Sequence, residues 1–263
     1  MPPIDVALLA MGGLVAGLLA GLLGIGGGVL MVPLLLLFGL NVRQAAATSL
    51  LAILVTATTG SVQNWRMGYL QPKHVLWLAL PAILLVVAGT EAGRMLPEHW
   101  RRALFGVLLL CNIYLVTLKK SMASTVSPHT VQKSIISPIP ARVITGGASG
   151  FMAGLFGVGG GVIMVPLQVL LLNSGLKSAV RTSLGVIVLT SLVACIHNGL
   201  NGDIVYGAGL SLGMGGLIGV QFSTRFLPKL PDTVVSILFR ALLCVLSTYV
   251  FWQAWHAYVN MST

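Results

Sequence analysis

The chain has 263 residues, of which 56% are hydrophobic and 8% are charged, and its mean hydropathy is +0.97. These values lie outside the range of soluble domains and indicate a polytopic membrane protein. The net charge is +10, but the basic residues stand between apolar runs, as membrane anchors do, so nucleic-acid binding is not expected. Cys111, Cys195 and Cys244 are widely separated and predict neither a disulfide framework nor a metal site. No cofactor is expected.

Eight apolar blocks are long enough to enter or cross a bilayer. A bilayer leaves only helices and closed barrels, and the alternating pattern of barrel strands is not seen. The predicted fold is therefore an all-α, polytopic helical membrane protein with about 8 to 10 membrane segments. The blocks cover residues 6–40, 44–65, 75–90, 103–118, 143–176, 182–202, 204–224 and 233–259.

A glycine-rich segment occurs twice in the chain. Residues 17–33 and 150–166 are identical at 12 of 17 positions, and the correspondence continues through the following block at a spacing of 134 residues. The sequence therefore predicts two homologous repeats, residues 1–118 and 143–263. A polar, basic, proline-bearing linker at 119–142 joins them.

The direction of the second half depends on what the glycine-rich segment does. As one helix, residues 6–40 would be roughly 50 Å long at about 1.5 Å per residue, well beyond a hydrocarbon core of about 30 Å. If the segment turns back at its glycines, the basic residues sort ten to four between the two faces, whereas a single crossing gives eight to six. The positive-inside rule therefore favours inverted halves, with both termini periplasmic and the linker cytoplasmic. The ten are Arg66, Lys73, Lys119, Lys120, Lys133, Arg142, Lys177, Arg181, Arg225 and Lys229, and the four are Arg43, Arg94, Arg101 and Arg102.

A glycine triplet interrupts the apolar segment of each half. Glycine is poor helix material, and two interruptions at equivalent points are typical of transporter binding sites. Three consecutive glycines can unwind the backbone and direct N–H groups and a helix N-terminus at an anion, although a purely structural hinge is the alternative. Glycines spaced four apart before each triplet instead predict close helix packing. The triplets are Gly26, Gly27 and Gly28, and Gly159, Gly160 and Gly161.

The helix after each triplet carries polar residues at a heptad spacing, which places them along one face. Such a stripe either holds helices together or lines a polar path, and the larger polar groups favour a path. His197 matches Gln63, so a structural histidine stays open beside a binding role. Glu91 and Arg94 predict an ion pair at a helix end. Beside the triplets, the predicted substrate-binding residues are Thr48, Ser49, Asn64, Thr182, Ser183, His197 and Asn198.

The motif order of the two halves resembles the sulfite exporter TauE/SafE family of membrane transporters. Gly-Ile-Gly-Gly-Gly, Val-Pro and Ala47-Thr48-Ser49-Leu50 return as Gly-Val-Gly-Gly-Gly, Val-Pro and Arg181-Thr182-Ser183-Leu184. The resemblance covers essentially the whole chain. It implies movement of small sulfur-containing anions, such as sulfite or organosulfonates, across the bacterial inner membrane, usually outward. The breadth of the family leaves the particular anion open.

The expected function is a secondary transporter that exports such anions by alternating access, and not an enzyme. The chain has five acidic residues and none lies mid-span, which suits an anion rather than a cation. A membrane-embedded enzyme acting on an anionic lipid headgroup is the alternative, but it needs a nucleophile near a base, and Ser183 and His197 are about four helical turns apart. A passive anion channel is a third possibility. The sequence leaves the oligomeric state open.

Overall fold

The computed structural model describes residues 3–97 and 138–231, with residues 100, 104, 106, 107, 233–235, 237, 238 and 241. These residues form helices joined by short turns, which confirms the predicted helical class. The predicted blocks at 103–118 and 233–259, apart from the few positions just named, lie outside the described residues. So do residues 119–137 of the predicted linker and both chain ends.

Eight α-helices are described. Helices α1, α3, α4 and α7 are each long and apolar enough to cross a membrane, whereas α2 and α6 are short apolar helices. The larger predicted number of membrane segments stays a prediction. The helices are α1 (Pro3–Leu23), α2 (Gly28–Leu37), α3 (Val42–Arg66), α4 (Pro72–Met95), α5 (Pro138–Phe156), α6 (Gly161–Leu171), α7 (Leu176–Leu200) and α8 (Tyr206–Phe226), and a 3-10 turn follows at Leu227–Lys229.

Helix α5 begins inside the predicted linker. Residues 138–142 were assigned to the linker from their prolines and polar surroundings, but they form the first turns of α5. Pro138 and Pro140 fit there because the first N–H groups of a helix have no helical acceptor, and the φ angle of proline suits a helix start. Proline therefore starts this helix, and the boundaries of the linker stay a prediction.

Helices α3 and α7 end in matching turns. Gly68 follows α3 with φ 75° and Gly202 follows α7 with φ 70°, the left-handed conformation that glycine supplies at helix ends. The next residue in each turn bonds back into the helix, Tyr69 N to Asn64 O at 2.9 Å and Asp203 N to Asn198 O at 3.1 Å. These turns place Tyr69 and Asp203 at matching points just beyond the two helices.

The glycine-rich helix of each half packs against the last described helix of the other half. Helix α1 lies along α8, and α5 lies along α4. A Cβ atom added at Gly17 would overlap the carbonyl of Gly216, and one added at Gly150 would overlap the carbonyl of Ala82. The glycines spaced four apart therefore serve close helix packing, as predicted.

Helices α3 and α7 lie between these two pairs and run in opposite directions. Asp203, just after α7, is bonded to Arg43 at the start of α3. Arg181, near the start of α7, stacks on Tyr69 just after α3, with 3.8 Å between its guanidinium carbon and the ring centroid. These contacts define two ends of the helix bundle.

We call one end of the bundle the ion-pair end, where α3 and α8 start and α4 and α7 end. We call the opposite end the basic end. Among the described residues, the basic end carries seven Lys or Arg residues and no acidic one, whereas the ion-pair end carries two Arg and three acidic residues. The basic-end cations are Arg66, Lys73, Arg142, Lys177, Arg181, Arg225 and Lys229, and the charged residues of the ion-pair end are Arg43, Arg94, Asp5, Glu91 and Asp203.

Candidate functional site

The two glycine triplets break helical structure at equivalent points, as predicted. Four residues separate α1 from α2, and four separate α5 from α6. Gly26 and Gly27 have φ 75° and 86°, and Gly159 and Gly160 have φ 78° and 75°. Glycine adopts this left-handed region without the steric cost that a side chain would bring. The first two glycines of each triplet therefore turn the chain.

The two breaks lie against each other in the interior of the bundle. A Cβ atom on Gly28 would stand 2.8 Å from the Cα of Val158, and one on Gly161 would stand 2.7 Å from the Cα of Ile25. Real Cβ atoms do not approach other atoms so closely, so each position excludes any side chain. The third glycine of each triplet is therefore required by the contact between the breaks.

One serine links each break to the opposite half. Ser49 Oγ of α3 lies 2.6 Å from the carbonyl oxygen of Gly157 and 2.8 Å from that of Ala46. Ser183 Oγ of α7 lies 2.7 Å from the carbonyl oxygen of Gly24 and 2.8 Å from that of Val180. A hydroxyl has a single hydrogen to donate. Both serines were predicted to bind substrate, and here they direct that hydrogen to the backbone. Their place in the structure is that of positioning residues for the two breaks.

The breaks contain buried N–H groups whose bonds are not made within the described residues. The carbonyls of Gly27 and Gly160 accept from the first turns of α2 and α6. By contrast, the N–H groups of Gly26 to Gly28 and of Gly159 to Gly161 have no acceptor among the described residues, and all six glycines are buried. The N-termini of α2 and α6 also carry the positive ends of their helix dipoles. Such groups are suited to an anion.

A cavity of about 190 Å³ lies at the basic end, between α4, α5, α6 and α7. A single water molecule needs roughly 10–15 Å³ on the same measure, so the cavity has room for a small hydrated ion. Its wall carries the hydroxyl of Thr182, a predicted ligand that precedes Ser183 on α7. The lining residues are His74, Leu78, Arg142, Gln168, Leu172, Ser174, Ser178 and Thr182, which include no carboxylate.

The sequence reasoning missed Ser174, Ser178 and three larger polar residues of this cavity. Gln168 is 2% exposed, and its amide nitrogen lies 3.4 Å from the carbonyl of Ala179. His74 and Arg142 stand in the first turns of α4 and α5. Because these residues come from three separate helices, no spacing along the chain connects them, and only the packing of the halves brings them together.

The ion-pair end has almost no corresponding space. A cavity of about 10 Å³ lies beside Arg43, Arg94 and Asn198, which is the volume of one water molecule at most. Asp203 closes this end: its side chain is 5% exposed, and its two oxygens lie 3.0 Å from Arg43 Nε and 2.7 Å from Arg94 Nη2. Thr48 adds a bond here, since its hydroxyl oxygen accepts the N–H of Val205 at 3.0 Å.

The ion pairs at this end extend to His197. Arg94 Nη1 lies 3.1 Å from Glu91 Oε1, which confirms the predicted ion pair. His197 Nε2 lies 2.6 Å from the same carboxylate oxygen. The histidine therefore has an acidic partner far from the glycine breaks, a position that agrees with the structural alternative for this residue.

The predicted binding residues thus occupy three places. The triplets, Ser49 and Ser183 meet at the centre, Thr182 lies at the basic-end cavity, and Thr48, His197 and Asn198 lie at the ion-pair end. Asn64 is fully buried towards the basic end. The structure brings the two halves of the central group together and separates it from the residues at the ends.

The fold and the central breaks define a class of protein. It is a polytopic helical membrane protein with two broken helices whose ends meet in its interior, the arrangement found in membrane transporters. The sulfite exporter TauE/SafE family model matches residues 9–250, so the chain belongs to that family. This confirms the resemblance seen in the sequence motifs.

The chain is also similar to curated relatives along most of its length. A "Probable membrane transporter protein" of Xylella fastidiosa is 26% identical over 253 residues, which cover 94% of this chain and 95% of the relative. "Probable membrane transporter protein YjnA" of Bacillus subtilis is 29% identical over 232 residues, or 82% and 90% of the two chains. "Probable membrane transporter protein MJ0441" of Methanocaldococcus jannaschii is 28% identical over 193 residues, or 70% and 69%. No solved structure matches the chain.

Proposed function

We propose that this membrane transporter exports small sulfur-containing anions, such as sulfite or organosulfonates, by alternating access. The observation that carries the proposal is the meeting of two glycine breaks, each with buried N–H groups at the start of a short helix. Such groups bind an oxyanion through its oxygens and need no cationic side chain at the centre. The description of the matched family names sulfite export.

The halves act, in this proposal, as inverted repeats with the boundaries 1–118 and 143–263. Support comes from contacts that occur twice: Ser49 with Gly157 and Ser183 with Gly24, and the crossed packing of α1 on α8 and α5 on α4. When two halves of opposite direction exchange their conformations, the opening moves from one end of the bundle to the other. The central breaks then stay in place while the ends open in turn.

The basic end faces the cytoplasm in this proposal, because Lys and Arg residues accumulate on that side of membrane proteins. The cavity of about 190 Å³ then admits an anion from the cytoplasm, while the Asp203 ion pairs close the periplasmic end. An inside-negative potential of about 100 mV drives each negative charge outward by about 2.3 kcal/mol. Export of an anion therefore needs no second ion.

Each polar group along this path has a role in the proposal. Arg142 and His74 attract the anion to the cavity, and the hydroxyl of Thr182 donates to it deeper inside. The N–H groups of the breaks bind it at the centre, and Ser49 and Ser183 position those breaks. The enzyme alternative would need Ser183 as a nucleophile, but its hydroxyl donates to Gly24, and His197 is bonded to Glu91 at the other end.

A thermal-shift screen of the purified full-length protein tests the substrate class. A ligand that binds only the folded state stabilises it by about 2.7 kcal/mol at a concentration of 100 Kd. We expect sulfite, thiosulfate or a sulfonate to raise the melting temperature more than chloride or acetate at the same ionic strength. Equal shifts with carboxylates would contradict a sulfur-anion transporter, and the absence of any anion-specific shift would contradict the binding site itself.

A further inference from the structure

A group of buried polar atoms without partners lies at the basic end, apart from the cavity lining. Ser61 Oγ, both side-chain amide atoms of Asn64, and Arg181 Nε have no hydrogen-bond partner among the described residues. Asn64 is 0% exposed and Ser61 is 8% exposed. Buried polar groups are almost always paired, because an unpaired one costs the full desolvation of that group. A set of this kind therefore points to a missing binding partner.

These residues lie around the turn that follows α3. Ser61 and Asn64 are three residues apart on α3 and so share a face of that helix. The carbonyl of Asn64 accepts the N–H of Tyr69, and the guanidinium of Arg181 stacks on the ring of the same Tyr69. Helix α7 thus brings a positive charge to the end of α3, where two uncharged polar side chains are buried.

The matching positions at the ion-pair end identify the kind of partner. Tyr69 matches Asp203, whose carboxylate there neutralises Arg43 and Arg94. At the basic end that carboxylate is replaced by a phenol, and no acidic residue is described on this end of the bundle. The amide of Asn198, which matches Asn64, is bonded to the carbonyl of Ala194. Among the described residues, the ion-pair end therefore carries its own anionic group, although Arg94 Nε there also lacks a hydrogen-bond partner, and the basic end carries donors without a carboxylate.

We propose that Arg181, Asn64 and Ser61 form a second anion site, which captures a small oxyanion at the basic end before it enters the central path. The guanidinium of Arg181 supplies the charge, since charge-assisted hydrogen bonds from Arg suit the oxygens of such anions. Asn64 and Ser61 donate from α3. This site rests on the proposed function for its role, but its binding is measurable without transport.

Equilibrium binding of labelled sulfite to the purified full-length protein tests the site. We expect two sites per chain, one weakened about tenfold in Thr182→Val and the other weakened about tenfold or more in Arg181→Gln, which removes a charge-assisted donor. Arg66→Gln is the matched control, because it removes an exposed charge from the same end and is expected to change binding less than about twofold. Arg181→Lys should bind at an intermediate level.

A second variant tests the comparison with Asp203 directly. Tyr69→Asp places a carboxylate at the matching position, on a residue that is 42% exposed. It is expected to pair with Arg181, to abolish one of the two sulfite sites, and to raise the melting temperature in the absence of anions. Wild-type affinity and stoichiometry in both Arg181→Gln and Tyr69→Asp would overturn the second site and leave the central proposal standing. A wild-type chain that binds no sulfite would overturn both.

Discussion

The two ends of the helix bundle have similar backbone structures but differ in their side chains. Each end has the end of one central helix, the start of the other, and a glycine turn that places one residue just beyond the helix. At the ion-pair end that residue is Asp203, which is buried between two arginines. At the basic end it is Tyr69, which lies beneath Arg181, and the same end carries the cavity of about 190 Å³.

In the proposed inverted-repeat arrangement, this difference holds one end closed. The backbone contacts at the centre occur twice and therefore favour neither end. The ion pairs of Asp203 occur once and hold α3, α4 and the start of α8 together. Under the proposed alternating access, we infer that the unmatched side chains at the ends set the relative stability of the two conformations, and that the matched glycine breaks serve as the shared centre.

The largest effect is expected from Asp203→Asn. Removing one partner of a buried ion pair costs about 3–5 kcal/mol, and the partial exposure of Arg43 reduces this figure. The ion-pair end should therefore open more often. We expect an impermeant maleimide to label a cysteine at Ala47, a residue 2% exposed beside this end, about tenfold faster or more than in the parent, since about 1.4 kcal/mol corresponds to a factor of ten.

The control for this experiment is Asp203→Glu, which keeps the negative charge of the carboxylate. Asp203→Glu should label at a rate between those of the parent and Asp203→Asn, in a background where Cys111, Cys195 and Cys244 are replaced by serine. If folded Asp203→Asn protein labels at the parent rate, the ion pairs do not hold this end closed, and the comparison of the two ends loses its basis.

An intermediate effect is expected from the two matched threonines. Thr182→Val removes a hydroxyl from the cavity wall, so sulfite binding should weaken about tenfold, as expected for the loss of one hydrogen bond of about 1.5 kcal/mol to a charged group, with little loss of stability. Thr48→Val removes the acceptor of the Val205 N–H and should destabilise the fold by about 1–3 kcal/mol with little change in binding. The same pattern in both variants would show that the two ends do not differ in function.

The smallest effect is expected from Glu91→Gln. The Glu91 side chain is 43% exposed, and ion pairs of exposed groups contribute little because water and salt screen them. Labelling at Ala47 should change by less than about threefold. A change as large as that of Asp203→Asn would mean that the closure of this end depends on the outer ion pair and not on the buried carboxylate.

The sequence predicted the centre of the molecule better than its ends. The triplets and the four-spaced glycines could be predicted because each position needs glycine, either for a left-handed φ or for a close helix contact. The same glycine pattern also occurs twice in the sequence. The heptad stripe led to Ser49 and Ser183, but a polar residue on a helix face does not reveal whether its hydroxyl meets a solute or a carbonyl. In the structure both hydroxyls lie within hydrogen-bond distance of backbone carbonyls, one in their own helix and one in the opposite half.

The ends were missed for a different reason. Asp203, Arg43 and Arg94 are brought together only by the packing of three separate helices, and the cavity residues His74, Arg142 and Gln168 likewise. The one local pair, Glu91 with Arg94, was predicted because its spacing suffices. Contacts between distant segments leave no periodicity in a single sequence.

Sulfite efflux from proteoliposomes under an imposed potential tests the central claim most directly. The account predicts efflux that exceeds that of protein-free vesicles, saturates with internal sulfite, and accelerates when the interior is made negative, because a net negative charge moves outward. Gly160→Leu should abolish it, since Gly160 has φ 75° and lies against the carbonyl of Ser149. Efflux equal to that of empty vesicles, or indifferent to the potential, would contradict electrogenic anion export through the paired breaks.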